Sequence, residues 1–318
     1  MAKQSNPNEI HLERVYDASV QAVWDAWCEA DQVGQWWGPR GFTLTTHAKE
    51  LRPGGLWHFT MHGPDGTNYE NKILYHEVER HSKLVYDHGA SDERSPLFRV
   101  TVRFIPVGGK TQLEMTMTLA SAEAAEETRR HVKRVGGEST WDRLGEYLGK
   151  RLTDKELFII QRSFAAPLER MFEVWSAPRH LAQWLPPTGF TMEFLRADIR
   201  TGGTSFYRMT NGSNVTMYGR AHYREVASPH RIVYTQEFCD EQEQLSRHPF
   251  APTWPATMLT TVTLTAEGPE QTRVAIQWEP FGATTAEELA TFMAGRAGMT
   301  QGWSGSFEKL EAYLAGGA

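Results

Sequence analysis

The stretch VWDAWCEADQVGQWWGPRGFT (Val23–Thr43) returns later in the chain as MFEVWSAPRHLAQWLPPTGFT (Met171–Thr191). The two align without a gap, and the alignment runs outward at the same offset of 148, from Val15 on Ser163 to Tyr86 on Tyr234. Seventeen of those 72 positions are identical, where ordinary composition gives about 4 by chance. Beyond the quoted stretch the identities include Arg52, Gly54, Gly55, Tyr75, Glu77, Val85 and Tyr86, matched by Arg200, Gly202, Gly203, Tyr223, Glu225, Val233 and Tyr234. A period this long is not a solenoid unit. It fits two consecutive domains, each large enough to bury its own core.

Composition narrows the classes. At 318 residues, two domains is also the expectation from length. A net charge of -6 leaves no electrostatic footprint for nucleic acid. Fifteen Phe, eleven Trp and ten Tyr supply large apolar bodies with occasional polar handles, suited to a core or a ligand cavity. Cys28 and Cys239 stand at non-equivalent positions of the two copies, which argues for free thiols in a reducing compartment. The opening MAKQSNPNEI has no apolar signal-peptide core, and no run of about 18 apolar residues predicts a membrane span. A cytoplasmic protein is the expectation.

The copies read alike element by element. Residues 1–8 form a polar, flexible tail. Ile10 to Tyr16 alternates as a strand. Val20, Val23, Trp24 and Trp27 recur at helical spacing behind Ser19 as N-cap, and Asp31 to Trp37 forms a second short helix stopped by Gly38-Pro39. Strand runs follow at Phe42 to Leu51, Leu56 to His62, Tyr69 to Val78, Lys83 to His88, Phe98 to Pro106 and Gln112 to Leu119, the last two joined by the hairpin signal Val107-Gly108-Gly109-Lys110. Glu123 to Gly149 reads as one long helix kinked at Gly136-Gly137. The second copy repeats the order and ends in a helix from about Thr285 to Leu314. The domains are placed at 9–150 and 156–316. The main difference is a polar, Pro-rich insertion, CDEQEQLSRHPFAPTWPAT (Cys239–Thr257), which reads either as a lid or as a disordered surface loop.

The predicted fold class is α+β. In each domain a curved antiparallel sheet wraps around a long C-terminal helix, with two short helices that are too small to fill the interior. A cavity between sheet and long helix follows, the kind of place where apolar ligands sit.

These residues resemble a known family. Val23-Trp24-Asp25-Ala26-Trp27, Gln35-Trp36-Trp37-Gly38-Pro39, Arg52-Pro53-Gly54-Gly55-Leu56-Trp57-His58-Phe59, Tyr75-His76-Glu77-Val78 and Leu84-Val85-Tyr86 resemble the START/SRPBCC superfamily, in its branch named after the activator of the 90-kDa heat shock protein ATPase. The second copy matches with Phe172-Glu173-Val174-Trp175, Gln183-Trp184-Leu185-Pro186-Pro187 and Ile232-Val233-Tyr234. Its Gly302-Trp303 is similar to a Gly-Trp pair of that branch, at a place where the first copy has Gly136-Gly137. The resemblance implies a tandem of helix-grip domains. It leaves function open among lipid or polyketide binding, aromatase/cyclase chemistry, antibiotic self-protection and chaperone regulation.

Strand alternation assigns inward faces. In the first copy Trp57, Phe59, Tyr69, Asn71 and Tyr75 are ligand-facing candidates, and His88 is the one histidine expected inside. His88 reads as a hydrogen-bonded core residue or as a general acid/base. In the second copy Ser205, Met209, Met217, Gly219, Gln236 and Trp278 face inward, Trp254 sits in the insertion, and Tyr207, Tyr223 and Tyr234 are further proton-transfer candidates. The competing reading for each of these is that it simply fills the core. Ser205 in place of Trp57 makes the second copy the roomier one. His58 and His62 lie roughly 13 Å apart along a strand, too far to share a metal, and no Cys/His spacing matches zinc; no metal and no cofactor are expected. The leading expectation is binding of a hydrophobic, aromatic or polyketide-like small molecule. The alternatives are a cofactor-free cyclase, dehydratase or lyase, and a chaperone-regulating module with a protein partner.

Overall fold

The computed structural model describes residues 6–90, 95–134 and 139–316. The chain divides into two units, Met1–Lys155 and Glu156–Ala318. The expected tail falls largely on residues 1–5, and the expected kink on Gly136-Gly137; both lie outside the described residues.

In the first unit the order is β1 (Glu9–Tyr16), α1 (Val20–Cys28), α2 (Ala30–Val33), β2 (Thr43–Lys49), β3 (Leu56–His62), β4 (Asn68–Glu79), β5 (Lys83–Ala90), β6 (Phe98–Val107), β7 (Lys110–Thr118), α3 (Ala122–Arg134) and α4 (Ser139–Thr153). The seven strands form one sheet in the order β1-β7-β6-β5-β4-β3-β2, every neighbour antiparallel. Consecutive strands pair as hairpins, and β1 closes onto the last strand. Gly108 and Gly109, at φ +55° and +83°, make the tight β6–β7 turn. Ser19 caps α1, its hydroxyl accepting from the Ala22 amide.

The second unit repeats this as β8 (Phe158–Phe164), α5 (Leu168–Ser176), α6 (Pro178–Trp184), β9 (Thr191–Ala197), β10 (Thr204–Thr210), β11 (Thr216–Ala227), β12 (Arg231–Cys239), β13 (Thr257–Gly268), β14 (Gln271–Pro280), α7 (Ala286–Ala294) and α8 (Arg296–Ala315). Its sheet order is β8-β14-β13-β12-β11-β10-β9. The expected single terminal helix is two, meeting at Gly295; Thr285 and Glu288 form a capping box at the start of α7.

The repeated Arg-x-Gly-Gly has a packing cause. A Cβ on Gly55 would lie 2.2 Å from the Glu50 carbonyl oxygen, and one on Gly203 would lie 2.1 Å from that of Asp198. The second glycine therefore admits a close backbone approach that any side chain blocks. The amides beside it bond across to Tyr75 at 2.8 Å and Tyr223 at 2.8 Å. The Trp indoles repeat as well: Trp36 donates to the Ala26 carbonyl at 2.9 Å and Trp184 to the Val174 carbonyl at 3.3 Å, both side chains fully buried. They tie each second short helix to the first.

One correction concerns the repeat itself. Trp141 of α4 stacks on Trp27 at 5.8 Å and 18°, as Trp303 of α8 stacks on Trp175 at 6.2 Å and 21°. Trp141, rather than the Gly136-Gly137 pair, is thus the counterpart of Trp303. The offset changes after the insertion, so the constant spacing of 148 missed it.

At the end of α1 the Lys49 amine donates to the Trp27 carbonyl at 3.2 Å and lies 3.8 Å above the Trp57 ring. Burial holds its pKa down, to about 8. The unfolded chain, with its lysine near 10.5, then carries more protons than the folded one between pH 8 and 10.5. Stability therefore rises with pH across that window, by at most about 1.4 kcal/mol per pH unit for one proton. Thermal unfolding of the native chain and of Lys49→Met at pH 7.5, 8.5 and 9.5 checks this: the native chain gains on the variant at each step. The nearby Cys28 thiol, pushed up to about 12 by burial, is present in both chains and largely cancels.

A candidate ligand cavity in the second domain

The first domain's interior is filled by indoles. Trp37 packs edge-on against Trp27 at 5.4 Å and against Trp57 at 5.3 Å, and Trp57 lies 4.3 Å from Phe59. Trp57 is 1% and Phe59 0% exposed. Asn71 is buried, its amide donating to the Tyr69 carbonyl at 3.1 Å, and Tyr75 packs edge-on against Tyr86. Tyr69, expected inside, is 44% exposed; it stands near the start of β4, past the covered part of the face, with its ring against Phe42. His88 is half-buried, stacked on Phe98 at 5.1 Å and 6.5 Å from Trp37. These contacts place it in an aromatic packing position.

The second domain is built from the same register with smaller residues. Ser205 stands where Trp57 does, Leu185 where Trp37 does, and Ala221 where Ile73 does. The cross-strand pair Lys49–Trp57 becomes Ala197–Ser205. The result is a cavity of about 270 Å³ between sheet and α8. Its sheet wall includes Ser205, Tyr207, Met209, Met217, Tyr223, Tyr234, Gln236 and Trp278; α8 contributes Met299, Trp303 and Ser306. Gly219 does not line it, for a reason its neighbour supplies: a Cβ there would lie 2.5 Å from the Tyr207 ring. The glycine leaves room for the hydroxyl end of that ring, which forms the wall there instead.

Sequence reasoning missed Trp175, Leu181, Leu185 and Trp303 as lining residues, because strand alternation carries no information about what the helices bring; it also left out Met192 and Phe194 of the edge strand β9, whose inward face was not assigned. Trp303 was visible only as a motif. No residue lining this cavity is Asp, Glu, Lys or Arg. Burial pushes the hydroxyls of Tyr207, Tyr223 and Tyr234 up from the ordinary phenol value, so they stay protonated and act as donors rather than bases. Tyr223 shares a hydrogen bond of 3.2 Å with Ser205. His88 and these three tyrosines belong to different units.

The insertion is ordered. The Asp240 carboxylate accepts from the amides of Gln242 at 3.0 Å and Gln244 at 2.8 Å, and Ser246 returns to the Phe238 carbonyl at 2.9 Å. Arg247 donates to Glu288 of α7 at 2.6 Å, and Thr253 meets Thr291 at 2.8 Å. Trp254 packs on Phe292, 5.9 Å between centroids, and does not line the cavity. It anchors the insertion to α7, correcting the expectation that it faces ligand. His248, from the same segment, does line the cavity. Among the described residues no group of three or more His, Cys, Asp or Glu is arranged to hold a metal, and no helix is long and apolar enough to cross a membrane.

Comparison with known proteins adds the following. No curated protein matches the chain. Among solved structures, Ms6760 from Mycobacterium smegmatis is 24% identical and covers 51% of this chain and 91% of its own, with a TM-score of 0.43. CV1439 from Chromobacterium violaceum is 26% identical over 49% of this chain and 95% of its own, TM-score 0.39. The di-domain ARO/CYC BexL from the BE-7585A biosynthetic pathway is 13% identical and covers 96% of this chain and 97% of its own, TM-score 0.39. A single family profile matches twice, over residues 17–149 and 165–315, and the chain therefore belongs to the family described as Activator of Hsp90 ATPase homolog 1-like protein.

Proposed function

We propose that the second domain binds an uncharged, aromatic or polyketide-like small molecule in the cavity between its sheet and α8. The observation that supports this most directly is the lining: three indoles and four tyrosines around about 270 Å³, with no Asp, Glu, Lys or Arg among them. That volume is close to the lower end of small-molecule sites, about 300–1,000 Å³, whose walls are mostly apolar with a few placed polar groups. The first domain, its lumen filled by Trp37 and Trp57, has a structural role in this reading.

Native mass spectrometry of the purified chain, followed by denaturation and identification of what is released, tests the proposal. One hydrophobic aromatic molecule per chain is the expected result. A chain that emerges empty and also fails to bind a panel of uncharged naphthalene-based dyes would overturn it.

A cofactor-free cyclase, dehydratase or lyase is the second reading. It draws on the Ser205–Tyr223 pair and on Tyr207 and Tyr234, whose hydroxyls burial keeps protonated and which would serve as donors to a developing oxyanion. A released molecule that differs from the precursor supplied favours it over simple binding.

A further inference from the structure

His248 belongs to the insertion, and the first copy has no counterpart for it. It is the lining residue whose ordinary titration lies nearest neutral pH. Its ring sits in an aromatic surround: Phe238 edge-on at 4.8 Å, Phe250 at 6.1 Å and Trp254 at 6.2 Å. Burial moves its pKa down, so the imidazole is neutral at pH 7.

A neutral imidazole has one N–H, and the hydrogen bond at its other nitrogen decides which nitrogen carries it. The Phe250 amide donates to His248 Nδ1 at 3.1 Å. Nδ1 is therefore the acceptor and Nε2 carries the proton. Among the described residues the Phe250 bond is the one hydrogen bond of the ring, and Nε2 is not among the fully enclosed side-chain atoms left without a partner, so it keeps accessible space before it. Two other polar groups of the wall are already engaged: Ser205 with Tyr223 at 3.2 Å, and Ser306 with the Leu185 carbonyl at 2.8 Å. The backbone bond from Phe250 and the Arg247–Glu288 pair hold the ring in place, so little ordering is required when it meets a ligand.

We infer that His248 Nε2–H donates a hydrogen bond to a carbonyl oxygen of the bound molecule, so that the cavity selects aromatic ketones over hydrocarbons of the same shape. This rests on the small-molecule reading above and names the ligand class for that site. The groups facing His248 support it: Phe238, Phe250 and Trp254 carry no charge, and neither a carboxylate nor a cation lines the cavity to favour an ionised ligand instead.

The test uses two probes of nearly equal shape, 2-acetylnaphthalene and 2-isopropenylnaphthalene, titrated into the full chain with tryptophan fluorescence as the readout. The quantity compared is the ratio of their dissociation constants in the native chain, His248→Ala and His248→Gln. A neutral hydrogen bond contributes about 0.5–1.5 kcal/mol, so His248→Ala is expected to cut the preference for the ketone by about 3–10-fold. His248→Gln, which keeps an N–H near the Nε2 position, is expected to retain most of it. Taking a ratio removes the general loss of packing that any substitution in the insertion brings. An unchanged ratio in His248→Ala would overturn the assignment while leaving the binding cavity standing. Saturable binding of neither probe to the native chain would overturn both.

Discussion

Ser205→Trp is expected to lower affinity for an aromatic ligand by about 100-fold or more while the second domain still folds. The first copy is the precedent inside the same molecule. There Trp57 holds this register position, 1% exposed, against Trp37 and Phe59 and under the Lys49 amine. In the second copy the corresponding neighbours are Leu185, Tyr207 and Ala197, so the indole meets open cavity. It would occupy the space the ligand needs. A bound molecule would then have to displace packed side chains at about 1–3 kcal/mol or more, and every 1.4 kcal/mol is tenfold in affinity. The loss of the Ser205–Tyr223 hydrogen bond costs about 1 kcal/mol, which the newly buried indole surface offsets. Dye titration reads the affinity and circular dichroism the fold. A well-folded variant with undiminished affinity would show that ligand binds elsewhere.

Glu146→Ala should be among the most destabilising single changes in the first domain. Arg40 grips Glu146 with both guanidinium ends, at 2.9 Å and 2.6 Å, and the two side chains are only 11% and 7% exposed. The pair ties the loop after α2 to α4. Cutting away the carboxylate leaves a guanidinium buried and under-compensated, at about 3–5 kcal/mol. For a domain of this size each kcal/mol moves the unfolding temperature by about 2–4 °C, so a fall of roughly 6–20 °C is expected by calorimetry. The double variant Arg40→Met/Glu146→Leu should recover much of the loss, because it removes both charges together. A single variant that unfolds like the native chain would mean that water reaches Arg40 freely.

Much of the fold was legible before any coordinates. The gapless repeat gave two domains, and alternation with turn residues located all seven strands of the first copy within about two residues. Those features are local: a strand's period of two and a glycine's conformational freedom leave marks in consecutive residues. The exposure of Tyr69 was not legible, because alternation tells which face a residue takes but not where the covering helix stops. Nor was Trp254, since the chain folds back to place it on Phe292, 38 residues away. Trp141 escaped because gapless comparison cannot follow a counterpart across an insertion.

The sequence by itself determined the doubled architecture, the sheet-and-helix order of each half, and the contrast between Trp57 and Ser205 that predicts which half is hollow. Tertiary structure alone decided which helix residues complete the cavity wall, that the insertion is a structured cover rather than a loose loop, and that His248 presents a single N–H. The physical reason is the range of the interactions. Strands and turns are set by neighbours one to four residues apart. A cavity wall and the tautomer of a half-buried imidazole are set by groups that meet only once the whole sheet has closed around its helix.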